Sequence, residues 1–214
     1  MSNQTTIETP RLILRAAQAQ DAEALHEAFS DPNVMRYWSE LPHTPERTQK
    51  WLSEMLSSAQ NGTTDFIIEL KETSQVLGKI GIFSARPSNE MGFLLARRYW
   101  GQGFGKEALT AVLDYLFGVK RCDSDCECPG TEQGSTGAGY TCLKSSEVRD
   151  DDGRWALDSI TADTDPRNEA SIGLLKGCGF LESGVVENTL MLGEEWCDSL
   201  YLRLEREEWV KRRK

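Results

Sequence analysis

The sequence predicts one α/β domain built on a mixed set of strands, and three observations carry that reading. Segments 65–70, 76–84 and 90–96 are strand-like and separated by short polar stretches, the pattern of an antiparallel meander. The third runs into Tyr99-Trp100-Gly101-Gln102-Gly103-Phe104-Gly105, beyond which Ala108, Leu109, Val112, Leu113, Leu116 and Phe117 keep helical spacing. A strand over 155–162, a helix over 168–177 and two closing strands over 181–191 and 197–204 complete the set. A chain of 214 residues can bury ~70% of its extended surface, enough for one good core and too little for two. A single domain spanning 1–214 is therefore expected.

Each remaining element has a local reason. Arg11-Leu12-Ile13-Leu14-Arg15 alternates as a first strand, and Pro10 suits its start. Asp21 is placed to cap a helix that reaches Phe29, with Ala22, Leu25 and Phe29 on one face. Asp31-Pro32-Asn33 ends it. Thr44-Pro45 opens another helix with a capping side chain and a proline at the first helical position. Trp51, Leu52, Met55 and Leu56 form its apolar stripe, and Asn61-Gly62 closes it. Residues 118–153 break the rhythm. They hold six Gly, four Cys and four Ser, with eight acids against four bases. Such a stretch buries too little to offset ordering and reads as a mobile insertion. Its Cys122, Cys126, Cys128 and Cys142 lack the twice-repeated close pairs of zinc sites, and no metal is expected.

Lys and Arg number 24 against 34 Asp and Glu, a net charge of −10. Nucleic acid or an anionic membrane would be repelled on approach, so neither is expected as a partner, whereas a cationic amine is compatible. No run approaches the ~18–20 apolar residues of a membrane helix. The N-terminal residues lack the basic patch and apolar stretch of a signal peptide, and six cysteines read as reduced thiols, so a cytoplasmic location is expected.

The glycines at 101, 103 and 105 stand between a strand and a helix N-terminus. They let the backbone turn sharply and let a ligand approach it, and the free N–H groups of the first helical turn favour an anion such as a phosphate. A plain strand–helix turn would use the same residues. A dinucleotide fingerprint fits poorly: Lys106 stands where its third glycine should be if the count starts at Gly101. Counted from Gly103 the looser G-x-G-x-x-A form is met, but the acid expected ~20 residues on would fall in the insertion. A P-loop fails on its glycine spacing and on Glu107, which occupies the hydroxyl position.

With Arg98 the run reads Arg98-x-x-Gly101-x-Gly103, and it resembles the pyrophosphate loop of the GNAT superfamily, the acetyl-CoA-dependent N-acetyltransferases. The resemblance extends over most of the chain outside the insertion. Thr9-Pro10-Arg11-Leu12-Ile13-Leu14-Arg15, Asp31-Pro32-Asn33-Val34-Met35-Arg36-Tyr37-Trp38, Asp165-Pro166-Arg167-Asn168-Glu169-Ala170-Ser171, Gly177-Cys178-Gly179-Phe180 and Trp196-x-Asp198 are similar, in the same order, to segments of the branch containing ribosomal-protein N-terminal acetyltransferases. This implies a strongly twisted mixed sheet of about seven strands with helices on both faces. Two of its strands, ending near Ala96 and Asp163, would splay apart to admit the pantetheine arm. Phe93, Leu94, Leu95 and Ala96 would pair with that arm. The N–H groups of Gln102, Gly103, Phe104, Gly105 and Lys106 would hold the pyrophosphate. Arg98 would add charge there, or be a solvated arginine. Asn168 would fasten the pantetheine, cap its helix, or do both. Tyr37 and Trp38, with Trp51, would line the acceptor side or pack as core aromatics.

Acetyl transfer needs a neutral amine, a donor for the developing oxyanion and an acid for the departing thiolate. A lysine-type amine of pKa ~10.4 is almost wholly protonated at neutral pH, an α-amine of ~7.7–8.0 less so, so an N-terminal acceptor demands less of a base. The resemblance puts the oxyanion donor at the main-chain N–H of Leu94 or Leu95. Many members of the superfamily place a tyrosine acid a few residues past the Asn; this chain has none there, and Ser171 stands as the substitute acid or as a plain helix residue. Glu90 and Glu187 are the candidate bases, with Asp198 behind them. The expected function is transfer of an acetyl group from acetyl-CoA to a primary amine, a protein N-terminus or a small molecule, by direct attack in a ternary complex. A CoA-binding regulatory module without turnover is the alternative.

Overall fold

The computed structural model describes residues 5–58, 65–83, 89–118, 120–121, 141–142 and 157–213. The strands are β1 (Ile7–Glu8), β2 (Leu12–Arg15), β3 (Asp65–Leu70), β4 (Val76–Phe83), β5 (Glu90–Leu95), β6 (Lys120–Arg121), β7 (Thr141–Cys142), β8 (Ser159–Thr164), β9 (Leu181–Leu192) and β10 (Glu195–Glu205). Eight of them form one sheet in the order β1-β2-β3-β4-β5-β8-β10-β9, and β6 pairs with β7. The two-residue edge strand β1 is the addition to the seven expected. Neighbours in the large sheet are antiparallel except β5 and β8, which run parallel. The strand expected over 155–162 lies further on, at Ser159–Thr164. Apart from Gly118 and the β6–β7 pair, the 118–153 insertion and its Cys122, Cys126 and Cys128 lie outside the described residues, as do Asn61 and Gly62.

The helices are α1 (Ala22–Ser30), α2 (Pro32–Met35), α3 (Pro45–Ser58), α4 (Phe104–Leu116), α5 (Glu169–Gly177) and α6 (Arg206–Arg212). Thr44 caps α3 as its sequence implies, its hydroxyl accepting the Arg47 N–H at 3.3 Å. Asp21 does not cap α1. Its carboxylate takes both Arg15 terminal nitrogens, at 2.8 and 2.9 Å, and the Gln18 N–H at 2.7 Å. A forked charged pair outcompetes a neutral cap for the same oxygens. The turn at Asp31 does not simply end a helix: its side chain accepts the Asn33 N–H at 2.8 Å and starts α2. The terminal α6 was not expected either. It is pinned by Trp209, 4% exposed, whose indole donates to Asp114 of α4 at 3.0 Å.

Helices cover both faces of the sheet, and two adjacent residues of β4 show how. Side chains alternate along a strand. Ile80 pairs with Phe66, whose ring meets Tyr115 of α4 edge-on at 5.7 Å. Lys79 points to the other face, fully buried under α3, with its ammonium 4.8 Å from the Trp51 ring and 2.9 Å from Asp65 Oδ1. On that face Phe29 of α1 stacks on His43 at 4.5 Å and packs against Trp51 at 4.8 Å.

Candidate active site

β5 and β8 share one register pair, Glu90 with Thr161, and the Thr161 N–H donates to the Asn89 carbonyl at 3.3 Å. Beyond that point the parallel strands separate. The opening leads into a cleft of about 690 Å³ lined by Phe93, Leu94 and Leu95 of β5, by Gly101, Gly103, Phe104, Gly105 and Lys106, and by Asn168 and Ser171 across from them. β5 also floors a second cleft of about 440 Å³ through Glu90, Met91 and Gly92. The two clefts share Arg36, Tyr37 and Trp38.

The glycine run has the geometry its composition requires. Gly101 and Gly103 adopt φ of 72° and 80°, a region that disfavours any residue with a Cβ. Gly105 is closely packed: a Cβ there would lie 3.3 Å from the Leu174 side chain and 3.5 Å from that of Leu95. The first hydrogen bond of α4 runs from the Glu107 N–H to the Gly103 carbonyl at 3.1 Å. The N–H groups of Gly103, Phe104, Gly105 and Lys106 therefore have no partner within the helix. Four residues with unspent donors border the first cleft, and the helix dipole adds to their pull on an anion. A diphosphate fits that chemistry.

Alternation along β5 sorts its main-chain groups. The Ala96 N–H donates to Leu77 of β4 at 2.8 Å, whereas the Leu95 carbonyl accepts the Trp100 indole at 2.8 Å and the Asn89 carbonyl faces β8. With period two and no bulge in the β4–β5 pairing, Phe93 and Leu95 present their amides to the opening, and Leu94 and Ala96 spend theirs on β4. Of the four residues expected to meet a pantetheine arm, Phe93 and Leu95 have main-chain groups on the correct side. Leu94 lines the cleft without offering its amide there, and Ala96 is 3% exposed.

Asn168 caps α5, its side-chain oxygen accepting the Ser171 N–H at 3.1 Å, and it lines the first cleft as well. Ser171 lies half-buried one turn into α5. Arg98 is not brought to the cleft: its guanidinium pairs with Glu27 at 2.8 Å. Gln102, expected to offer its main-chain N–H, does not line the cleft, and its side chain donates to the Arg98 carbonyl at 2.8 Å. Tyr37 and Trp38 stand where the clefts meet, and Trp51 lines the second. Glu90 lines the second cleft, as does Asp198, whose carboxylate accepts the Asn188 N–H at 2.9 Å. Glu187 is exposed and does not line either cleft.

Residue-by-residue reading missed two features. Trp100, 46% exposed, lies over the end of β5; a large exposed aromatic beside a glycine run was its signal. Arg167, which lines the first cleft, bonds Asp165 of the second cleft and Glu195 at 2.6 Å each, with its guanidinium 5.9 Å from the Tyr37 ring. Hydrogen bonds from Arg167 hold the Asp165 carboxyl below its ordinary range against the opposing effect of burial. The spacing Asp165-x-Arg167, with the Arg167 N–H also on Asp165 at 2.8 Å, was legible as a turn. Among the described residues no group of three or more His, Cys, Asp or Glu could hold a metal ion, and no helix is long and apolar enough to cross a membrane.

The chain matches the family model for the GNAT acetyltransferase domain over residues 11–181. An uncharacterized N-acetyltransferase p20 of Bacillus licheniformis is 28% identical over 188 residues, 86% of each chain. A GNAT-family acetyltransferase from Bacillus anthracis superposes with a TM-score of 0.71 at 24% identity, covering 95% of this chain and 100% of that one. A ribosomal-protein-S5-alanine acetyltransferase from Vibrio fischeri gives 0.67 at 17% identity, with 96% and 98% covered. A spermidine N-acetyltransferase from Vibrio cholerae, solved with CoA and spermine, gives 0.66 at 18%, with 94% and 99% covered. A family match over most of the chain and an eight-stranded sheet open between β5 and β8 agree: this chain belongs to the GNAT family and is an acyltransferase.

Proposed function

We propose that the chain transfers the acetyl group of acetyl-CoA to a primary amine by direct attack within a ternary complex. One observation carries the reading: a single strand, β5, floors both an amide-rimmed cleft and an acid-lined one, and the two meet at Tyr37 and Trp38. The first cleft suits CoA. Gly103, Phe104, Gly105 and Lys106 would hold its diphosphate, and Phe93 and Leu95 its pantetheine amides. Bound there, acetyl-CoA would supply the activated thioester carbonyl. The second cleft suits a cation, with six carboxylates (Glu40, Glu54, Glu90, Asp163, Asp165, Asp198) against Arg36 and Arg47.

The chain's own groups then have defined tasks. The Leu95 N–H faces the opening and is the donor for the developing oxyanion. Ser171 lies across the cleft as the proton donor to the departing sulfur. Glu90, at the foot of β5 on the acceptor side, takes the amine proton through water, since five residues of strand separate it from Leu95. Relatives of known name acetylate a ribosomal protein in one case and spermidine in another; an amine acceptor is common to both, and the reaction belongs in the cytoplasm.

Incubation with acetyl-CoA and a panel of amines, read by thiol release and mass spectrometry, tests the reading. Acetylated product and stoichiometric thiol are expected. Gly103→Val should abolish CoA binding in calorimetry, and Ser171→Ala should lower kcat far more than it raises KM for acetyl-CoA. CoA that binds without any thiol release would leave a cofactor-binding module instead of an enzyme.

A further inference from the structure

We propose that Thr9, Arg11 and Glu107 form a clamp that positions the glycine loop, with Arg11 setting the direction of the Gly103 N–H. The inference rests on reading that loop as the diphosphate site. The Arg11 guanidinium reaches three partners from the far end of the sheet. Its Nε donates to Glu107 Oε2 at 2.6 Å, its Nη1 donates to the Gln102 carbonyl at 3.0 Å, and its Cζ lies 4.4 Å above the ring of Phe104. Glu107 Oε1 accepts the Arg11 N–H at 2.9 Å and the Thr9 hydroxyl at 2.6 Å. Thr9 in turn accepts the Leu12 N–H at 2.8 Å, which holds it to the start of β2. The first residues of the fold are thus fastened to the first turn of α4 and to the loop before it.

The bond to Gln102 decides an orientation. In a trans peptide the carbonyl and the following N–H point in opposite directions. Arg11 keeps the Gln102 carbonyl on its own side, outside the first cleft, so the Gly103 N–H is turned the other way. That peptide turns about ψ of Gln102 and φ of Gly103; Gly103, at positive φ, has no side chain to resist the rotation, and the peptide before it starts from Gly101, also at positive φ. Gly101 has open space around it, with nothing within 4 Å of a Cβ placed there. An external pin is what keeps such a peptide from turning its carbonyl toward a diphosphate. Burial pushes the Glu107 carboxyl up, and the bonds from Thr9 and Arg11 outweigh it and hold it below its ordinary range. The clamp is therefore charged at neutral pH.

A positioning role differs from a structural brace in what it moves. CoA carries the diphosphate and pantetheine does not, so calorimetry with both, on the full chain, separates the two. Arg11→Gln is expected to weaken CoA about tenfold and raise KM for acetyl-CoA to match. Pantetheine affinity, kcat at saturating acetyl-CoA and KM for the amine should stay within about twofold. Arg11→Lys can keep the Glu107 pair but cannot span to Gln102 with a rigid fork; it should recover the melting temperature and retain most of the CoA defect, and it serves if Arg11→Gln folds poorly. The clamp is overturned if Arg11→Lys binds CoA like the parent chain while Gly103→Val has lost it. It is overturned equally if CoA and pantetheine weaken together. If Gly103→Val also binds CoA normally, the diphosphate reading itself has failed and takes the clamp with it.

Discussion

Gly78 is the position where one methyl group tests the central geometry. It lies on β4 opposite Leu95, at φ +154°. A Cβ there would fall 2.0 Å from the Leu94 carbonyl oxygen, and 2.9 Å from the Leu94 carbonyl carbon and from Leu95 Cα. All three are backbone atoms, which cannot swing aside as a side chain would. Carbon and oxygen in contact lie at about 3.3 Å, so Gly78→Ala must separate the two strands by more than an ångström. Overpacking of this kind costs about 1–3 kcal/mol and occasionally more. The Ala96-to-Leu77 bond at 2.8 Å would be stretched with it, for about 1 kcal/mol. We expect a loss of about 3–4 kcal/mol, which for a chain of this size lowers Tm by roughly 10 °C. Urea unfolding followed by circular dichroism gives the free energy, and calorimetry gives the melting temperature. Because Leu94 and Leu95 floor the first cleft, CoA affinity should fall with stability. A variant within about 1 kcal/mol of the parent chain would refute the close approach of β4 to β5.

Gly173 predicts the opposite sign. It lies inside α5, and nothing comes within 4 Å of a Cβ there, so Gly173→Ala should stabilise by up to about 1 kcal/mol through helix propensity alone, a rise in Tm of roughly 2–4 °C. His43, 5% exposed and stacked on Phe29, has its pKa lowered from 6.5, chiefly by burial. The unfolded chain therefore takes up a proton on this residue as pH falls through 6.5 while the folded chain resists, so stability should drop as pH falls below 6.5 and stop dropping below the folded-state value. Unfolding free energies at intervals between pH 7.5 and 5 should show that slope, and His43→Gln should flatten it.

The elements were legible where local chemistry settles them. The meander needed only period-two apolar residues and short turns, and the glycine run only the demand for positive φ ahead of a helix. What escaped was decided across long sequence distances. The nearest arginine, Arg98, was assigned to the loop, whereas the structure engages Arg11, 91 residues from Gln102, and gives Arg98 to Glu27. Nothing in a linear reading ranks two arginines by where a sheet will carry them. Glu187, a candidate base from its place on the closing hairpin, falls in an irregular stretch of β9. Val186 pairs with Ser199 and Leu190 with Cys197, so β9 spends four residues where β10 spends two, and Asn188 takes φ 54°. Glu187 sits inside that irregular stretch and lines neither cleft, whereas Thr189 and Leu190, two and three residues on, line the second.

The charge of the chain and the proposed cofactor pull against each other, and the loop shows how the conflict is met. A protein of net charge −10 repels a polyphosphate at long range. That field is screened beyond about 8 Å at physiological ionic strength. Affinity for such a ligand then has to come from donors in direct contact. Main-chain N–H groups at a helix start suit the task because they are fixed in place and bring no acid or base to titrate. Arg98 and Arg11 both belong to ion pairs with carboxylates, so each contributes little free charge. The acid excess would instead serve the proposed acceptor side, where Glu90, Asp163 and Asp198 border the second cleft and would attract an ammonium. On the proposed reading, one strand separates a region suited to an anion through dipoles from a region suited to a cation through charge. In the proposed reaction the two reactants would be drawn to opposite ends of β5 by forces of different range.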